Sequence, residues 1–302
     1  GENLGHAIVR GPYRALYIIG GDAAMFDAVP GADSPVRAQY EADLLSNHPK
    51  TDARNIIGGT IWRIPPEGES PKPTLEAAGL RNAYDFAFNA RGDMFTVDSD
   101  MEWDMKLPWY REVRVLHCPP GAEFGWRERS HVWPDYFLDS VPGIQNIGLG
   151  SPTGMDICQH PLFPKDMQDA LFVGDWVHGQ VLLVRLIPNG TSYTATVEEF
   201  ASGGMEAFAV TDVAFGADGL YVATGGREAR GAVYRIQPKD RKKQNLSPPL
   251  TAEEQVQRAL EQPQPQSAWG RAAIGNAQSV SGEAWGACLE QIVRNPEKDP
   301  DE

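Results

Sequence analysis

The sequence predicts an all-β protein of the β-propeller class, followed by a short C-terminal α-helical tail, and two observations carry this prediction. Glycine and proline account for 31 and 24 of the 302 residues, and they interrupt short runs rich in aromatic and β-branched residues. Such punctuation is typical of many short strands joined by tight turns. The second observation is that one hairpin pattern recurs along the chain.

The recurring hairpin consists of an apolar strand, a turn closed by glycine, and a second aromatic strand. It is clearest in residues 85–95 (DFAFNARGDMF) and 212–221 (DVAFGADGLY), and it recurs in 7–21 and, with a longer turn, in 155–174. A further β-rich strand that carries an arginine follows three of the hairpins, in residues 59–68, 179–190 and 231–238. Hairpins that repeat every ~40–45 residues, with four strands to a unit, are typical of a β-propeller.

The spacing of the hairpins sets the expected size of the ring. We interpret the distance from Asp85 to Asp212 as about three periods of roughly 42 residues, so that residues 1–238 hold about five. A β-sandwich is the rival architecture, but it does not predict one hairpin pattern at multiples of one period. Because the chain begins inside a hairpin, we expect a closed ring to need strands that precede Gly1 or that another polypeptide supplies.

The composition changes after Pro238, and this change divides the chain. We predict a propeller over residues 1–238, a charged linker over 239–250 and a helical tail over 251–302. Thr251 and Glu254 have the spacing of a helix capping box. The tail is typical of the first units of a helical repeat, but we favour a helical hairpin packed on the propeller rim.

Charge and cysteine content exclude several classes of function. The formal net charge is −14, which disfavours nucleic acid and anionic membranes as partners. No apolar run reaches the about 18 residues that a membrane-spanning helix needs. Three cysteines make neither a disulfide framework nor a zinc cluster. The chain opens on Gly1 without a signal-peptide pattern, so we interpret it as a processed or truncated product.

A dense group of carboxylates directly follows a predicted strand. Asp98, Asp100, Glu102 and Asp104 fall within residues 98–104. Crowded carboxylates repel one another unless a cation or backbone N–H groups offset their charge, and Ca²⁺ suits such oxygens. The spacing is not that of an EF-hand loop. A solvated acidic loop is the alternative interpretation.

Other candidate residues stand at the ends of predicted strands. Arg81 and Asn82 precede an inner strand and could bind a carboxylate in the axial channel, or tie two blades together. Asp175 and Trp176 end another strand and suit either sugar recognition or turn closure, and Arg227 repeats their placement. His6 lies on the first strand and is a candidate base, although a lone histidine is often structural. Common hydrolase and nucleotide-binding motifs are missing.

These residues resemble the membrane-bound dehydrogenases of planctomycete-type bacteria, whose propellers are similar to the soluble quinoprotein glucose and sorbosone dehydrogenases. The acidic run at 98–104 is the most specific part of the resemblance. Its other parts are residues 79–89, 95–97, 108–111, 121–127, 150–154, 174–176 and 224–227.

The resemblance implies a propeller of about six blades with an axial pocket for pyrroloquinoline quinone and Ca²⁺. It implies that Arg81 and Asn82 contact the quinone, with Arg227 as a further cofactor contact, and that the loop around Asp98 lies beside the calcium ion. In that family a histidine takes the proton of the sugar hydroxyl. Asn3 stands at the expected histidine position, and an amide cannot act as a general base. His6, three residues further on, is expected on the opposite face of the strand.

The leading hypothesis is an exported bacterial dehydrogenase, periplasmic or at the cell surface, that oxidises a sugar or another alcohol. A c-type cytochrome is an expected electron acceptor. The alternatives are a propeller without redox activity that binds carbohydrate or a partner protein, and a calcium-dependent hydrolase similar to a lactonase.

Overall fold

A computed structural model describes most of the chain up to residue 239 and isolated parts of the tail. The described residues are 4–11, 15–24, 58–65, 72–104, 107–127, 131–138, 140–160, 162–204, 207–226 and 229–239, and in the tail 251, 256, 274–275, 278–279, 285–287 and 290. Up to residue 239 they form strands and the loops between them, with one short 3-10 helix at Lys165–Met167.

The first two sheets each contain four antiparallel strands in sequential order. Blade 1 consists of β1 (Gly5–Arg10), β2 (Leu16–Gly20), β3 (Gly59–Ile64) and β4 (Thr74–Leu80). Blade 2 consists of β5 (Phe86–Phe88), β6 (Met94–Asp98), β7 (Arg114–His117) and β11 (Gln145–Asn146). Between β7 and β11, β8 (Ala122–Glu123) pairs in parallel with β4, and β9 (Trp126–Arg127) pairs with β10 (His131–Val132).

The next two sheets continue the same order. Blade 3 consists of β12 (Pro152–Ile157), β13 (Leu171–Asp175), β14 (Gln180–Asn189) and β15 (Ser192–Ser202). Blade 4 consists, within the described residues, of β16 (Val210–Gly216), β17 (Gly219–Gly226) and β18 (Ala229–Ile236).

The turn between β5 and β6 shows why the hairpin pattern folds as it does. The Asn89 side-chain oxygen accepts the backbone N–H groups of Arg91 and Asp93, at 3.0 and 2.8 Å. Gly92 takes a φ of +85°, which residues with a Cβ adopt at a cost. The turn therefore brings Phe88 opposite Met94, and the two strands continue as an antiparallel pair.

The hydrophobic core lies between successive blades. The first strands of the blades lie side by side, with β1 against β5, β5 against β12, and β12 against β16. Ile19 and Phe86 belong to the cluster between blades 1 and 2, Phe95 and Val173 to the next, and Phe172 to the third. Antiparallel sheets packed face to face around adjacent inner strands form a propeller, which confirms the predicted fold class.

Aspartates on the inner strands also join the blades. Asp85 accepts the N–H of Phe86 in its own blade and the N–H of Met155 in blade 3, at 2.8 and 3.0 Å. Asp156 repeats this between blades 3 and 4, where it accepts the Phe215 N–H at 2.8 Å. Burial raises the pKa of Asp85 to about 7 and that of Asp156 to about 6.

The spacing of the repeats differs from the sequence-based expectation. The segment from Asp85 to Asp212 covers two steps from one blade to the next, not three of about 42 residues, because the long connection between β7 and β11 enlarges blade 2. The predicted boundaries at residues 238 and 250 stay predictions. The described tail residues Val256 and 285–287 are helical, and Val256 is buried.

Two further findings bear on the expectations from composition. Cys118 and Cys158 are buried free thiols, and Cys288 lies outside the described residues. In the part of the chain that the structure describes, no helix has the length and apolar character needed to cross a bilayer.

Candidate active site

The blades share one edge at which their first strands begin and their second strands end, and we call this edge the mouth. Hydrogen bonds join neighbouring blades along it, among them Asp22 N–H to the Arg81 carbonyl (2.7 Å), Gly150 N–H to the Asp100 carboxylate (3.1 Å), and the Trp176 indole N–H to the Gly225 carbonyl (2.8 Å). Most of the predicted site residues lie on this edge.

Asp98 fixes the backbone that carries Arg81 and Asn82. It ends β6 with a side chain only 1% exposed, and its Oδ1 accepts the N–H groups of Arg81 and Asn82 at 3.0 and 2.9 Å. Its Oδ2 accepts Arg114 Nη2 at 3.1 Å. Both oxygens of Asp98 are thus used by backbone donors and a cation, which gives this predicted metal ligand a structural role.

The Arg81 side chain extends over the acidic loop that follows β6. Its Nη1 donates to Ser99 Oγ at 2.9 Å and to the carbonyl of Asp100, and its Nη2 forms an ion pair with Glu102 at 2.8 Å. Glu102 is exposed, so this ion pair is open to solvent and to exchange with another anion. Ser99 and the Asp100 carbonyl therefore hold the guanidinium at the mouth, while its bond to Glu102 is open to exchange.

The structure brings His6 to the Arg81–Asn82 pair from a different blade. Its Nε2 lies 2.7 Å from Asn82 Oδ1, and its ring packs at 4.8 Å from the ring of Tyr84. Because a carbonyl oxygen only accepts hydrogen bonds, Nε2 carries the hydrogen and Nδ1 holds the lone pair. The orientation makes Nδ1 the basic nitrogen. Asn3 lies outside the described residues.

The other carboxylates of the predicted calcium site are engaged by separate donors. Asp100 accepts the Gly150 N–H, and burial raises its pKa above the ordinary value. Asp104 is buried and accepts two donors of Arg111, at 2.7 and 2.6 Å, while its Oδ1 has no hydrogen-bond partner among the described residues. Within the described ranges, no three His, Cys, Asp or Glu side chains are grouped to hold a metal ion.

Asp175 and Trp176 lie at the mouth between blades 3 and 4. Asp175 accepts the Ser151 N–H at 3.1 Å, His178 Nδ1 at 2.6 Å and Gln180 Nε2 at 3.1 Å. The Trp176 indole N–H is used by the bond to Gly225. Both residues therefore stabilise the turn, as the alternative interpretation predicts, and they also form part of the mouth surface. Arg227 lies outside the described residues.

A cavity of about 300 Å³ opens beside Arg81, and sequence reasoning missed it. Its wall combines the arginines Arg111 and Arg114 with the aromatic residues Trp133 and Tyr136. Sequence patterns did not single out these residues because they come from β7 and two loops that meet only in the fold. The sequence did carry a signal for the neighbouring segment, an excess of aromatic residues at positions 103, 109 and 110.

Comparisons with known proteins support the fold. No family model and no curated protein matches the chain. A solved oxidoreductase (glucose dehydrogenase) from Thermus thermophilus matches with a TM-score of 0.51 and 21% identity, over 76% of this chain and 63% of that one. A second glucose dehydrogenase matches with a TM-score of 0.50 and 19% identity, over 77% and 63%.

A third solved structure, the PQQ-bound form of aldose sugar dehydrogenase from Streptomyces coelicolor, matches with a TM-score of 0.49 and 16% identity, over 75% of this chain and 59% of that one. The chain thus spans about three fifths of the length of these three structures. Its fold is a propeller similar to that of the two glucose dehydrogenases, which confirms the resemblance for the fold.

Proposed function

We propose that the chain is a quinoprotein-type dehydrogenase that oxidises a sugar or another alcohol at the mouth. The observation that carries the proposal is the contact of 2.7 Å between His6 and Asn82, next to Arg81. A basic imidazole and a cationic anchor thereby meet at one point of the mouth, although they come from different blades. The glucose dehydrogenases with the same fold support the proposal.

Arg81 and Asn82 would hold pyrroloquinoline quinone. A guanidinium and an amide N–H group are donors that fit the carboxylates and ring oxygens of this cofactor. The exposed ion pair of Arg81 with Glu102 can open to admit an anionic group. Arg227 is part of the proposal as a further contact. When bound, the quinone supplies a two-electron acceptor for the hydride that leaves the alcohol carbon.

His6 would act as the general base. Its Nδ1 has the free lone pair, so it can take the proton of the substrate hydroxyl as the C–H bond breaks. The hydrogen bond from Nε2 to Asn82 and the packing against Tyr84 fix the orientation of the ring. Asn82 then contributes both to cofactor binding and to the position of the base.

Asp175 and Trp176 would line the substrate side of the mouth. The carboxylate is buried and is oriented by Ser151, His178 and Gln180, so a substrate hydroxyl would have to displace one of these donors to reach it. The indole presents an apolar face of the kind that packs on the C–H groups of a sugar ring. Their role in the turn is compatible with this second role.

Calcium remains part of the proposal through Asp98, Asp100, Glu102 and Asp104. Separate protein donors engage these four carboxylates. Among the described residues the carboxylates are not grouped as a ligand set, so we derive no step from a metal ion. Export to the periplasm or cell surface, a c-type cytochrome as electron acceptor and a second polypeptide that completes the ring also belong to the proposal.

Dye-linked oxidation tests the proposal. The protein is incubated with pyrroloquinoline quinone and either Ca²⁺ or excess chelator, and a panel of sugars and simple alcohols is then assayed. We expect quinone-dependent oxidation of at least one sugar. The His6→Gln variant is expected to lower kcat by about 10²–10⁴-fold.

His117→Gln is the matched control, because His117 is a hydrogen-bonded imidazole that contacts Ser192 away from the mouth. It should leave kcat unchanged. If wild-type protein binds sugars but oxidises none, the chain is a carbohydrate-binding propeller. Hydrolysis of lactones without the quinone would instead identify the hydrolase alternative.

A further inference from the structure

A hairpin at residues 101–111 extends from the end of β6 at the mouth. Met101 and Arg111 exchange both backbone hydrogen bonds, at 3.0 and 2.9 Å, and so do Asp104 and Leu107, each at 2.9 Å. The ion pair of 2.6 Å between Arg111 and Asp104 closes the stem. Residues 105–106, between the two pairs, lie outside the described ranges. The described stem is thus fixed by backbone pairing and by a buried carboxylate.

This hairpin exposes aromatic side chains instead of burying them. Trp103 is 60% exposed, Trp109 55% and Tyr110 62%, and Tyr136 on the cavity wall is 85% exposed. Exposed aromatic residues occur singly on many surfaces, but several on one segment beside a cavity indicate a binding surface. The other tryptophans for which the structure describes burial are buried or half-buried, so this exposure is confined to the hairpin.

The hairpin is continuous with the Arg81 corner and with the cavity. The Arg81 guanidinium donates to the carbonyl of Asp100, directly before the hairpin, and Met101 and Arg111 line the cavity. Met101 and Arg111 thus belong to the same wall as Arg81, and the exposed aromatic residues of the hairpin lie within two residues of them in the chain. The cavity volume, about 300 Å³, is at the lower end for small-molecule sites.

The charges around the cavity indicate a neutral ligand. Arg111 is paired with Asp104, Arg114 with Asp98, and Arg81 with Glu102. Arg111 and Arg114 are therefore balanced by buried carboxylates, and Glu112 and Asp135 add negative charge to the wall, so that only Arg81, with its exposed partner, is open to an anion. Planar donors and acceptors beside exposed aromatic rings suit a ligand with many hydroxyl groups and apolar C–H faces.

We propose that the described stem of the hairpin, residues 101–104 and 107–111, and the adjoining cavity bind a neutral oligosaccharide. The reacting end unit lies at the mouth, and the following units pack on the exposed indoles. The substrate of the dehydrogenase is then the end of a sugar chain and not a free monosaccharide. This assignment rests on the proposed function for the reaction, but the binding itself does not require the quinone.

Calorimetric titration of the protein without quinone tests the proposal. The ligands are glucose, xylose, cellohexaose, maltohexaose and xylohexaose. We expect at least one hexasaccharide to bind about tenfold or more tightly than its monosaccharide. Trp109→Ala and Trp103→Ala should each remove most of this advantage, since they delete an exposed stacking surface. Tyr234→Ala, which removes an exposed aromatic residue on β18, should keep it.

Equal affinity for every hexasaccharide and its monosaccharide would overturn the proposal. So would Trp103→Ala and Trp109→Ala variants that fold and bind as the wild type does. A protein that prefers hexasaccharides but never oxidises a sugar with added quinone would refute the dehydrogenase alone. A protein that oxidises glucose with no dependence on chain length would refute the oligosaccharide site alone.

Discussion

Asp98 and Asp175 occupy equivalent places in neighbouring blades, yet their surroundings differ. Each ends the second strand of its blade and accepts a backbone N–H from the segment that enters the first strand, Arg81 in one case and Ser151 in the other. Asp98 is also paired with Arg114, whose side chain is only 12% exposed. Asp175 is paired with His178, which is 48% exposed.

The difference shows that an aspartate at the end of the second strand of a blade can have different surroundings in different blades. In blade 2 the carboxylate is buried and its cation is only 12% exposed, so the pair fixes the backbone below Arg81. In blade 3 the carboxylate is also buried, with a side chain 8% exposed, but its partner His178 faces solvent. An acidic residue at a strand end therefore has to be judged by its partner and not by its position alone.

Replacement of Asp98 should have the largest effect on stability. Asp98→Ala leaves the buried Arg114 without its counter-ion and two backbone N–H groups without their acceptor, so we expect a loss of about 3–5 kcal/mol in unfolding free energy. Asp175→Ala should cost about 1 kcal/mol, because water can reach its donors. Urea denaturation of both variants measures the difference. Equal losses would contradict the distinction.

The Arg114 pair can be tested separately. In the Asp98→Asn background, Arg114→Met should restore part of the lost stability, because it removes an uncompensated buried cation. A double-mutant cycle should give a coupling energy of about 1–3 kcal/mol. A coupling near zero would show that Asp98 acts only through the backbone of Arg81 and Asn82.

The carboxylate of Asp85 is buried between blades 2 and 3, where it accepts the backbone N–H groups of Phe86 and Met155. Its folded pKa of about 7 lies above its ordinary 3.8, so the folded state keeps the proton over a range in which the unfolded state loses it. The contribution of Asp85 to the free energy of unfolding should therefore fall as pH rises from about 4 to about 7, by at most about 1.4 kcal/mol per pH unit.

Asp85→Asn should flatten this slope, as measured by denaturation at several pH values. Asp166→Asn, at an exposed carboxylate, is the control and should keep the wild-type slope. A wild-type slope in Asp85→Asn would assign the pH dependence to other groups.

His178→Gln should have the smallest effect on stability. Its imidazole is half exposed, and Asp175 keeps the Ser151 and Gln180 donors when His178 is replaced. We expect a change below about 1 kcal/mol in thermal or urea unfolding. A larger loss would show that the blade 3 turn depends on the imidazole as strongly as blade 2 depends on Arg114.

The hairpins could be predicted from the sequence because their determinants are local. Asn89 and Gly92 form the turn within a few residues, and the apolar alternation that follows is visible in the chain. The number of steps between Asp85 and Asp212 could not be predicted, because long loops in blade 2 break the period. The intermediate hairpin at residues 155–174, which contains Asp156, was recognised, but an assumed period of roughly 42 residues gave three steps instead of two.

The contacts of the candidate site residues could not be predicted without the fold, because they join residues that are far apart in the sequence. The acidic run after β6 predicted a cation, and Arg114 and Arg111 supply positive charge to Asp98 and Asp104 from the other side of the loop. The contact of His6 with Asn82 joins residues that are 76 positions apart. Strand alternation placed His6 on one face, but only the packing of blades 1 and 2 shows which residue it meets.

The proposed function depends most on Arg81, which Asp98 holds in place, as the cofactor anchor. Titration with pyrroloquinoline quinone, followed by tryptophan fluorescence in Ca²⁺ and then in excess chelator, tests it directly. We predict saturable quenching that Arg81→Ala weakens by about tenfold or more, while Arg235→Ala, at an exposed ion pair on β18, leaves it unchanged. No saturable quenching, or equal affinities for the wild type and Arg81→Ala, would contradict it.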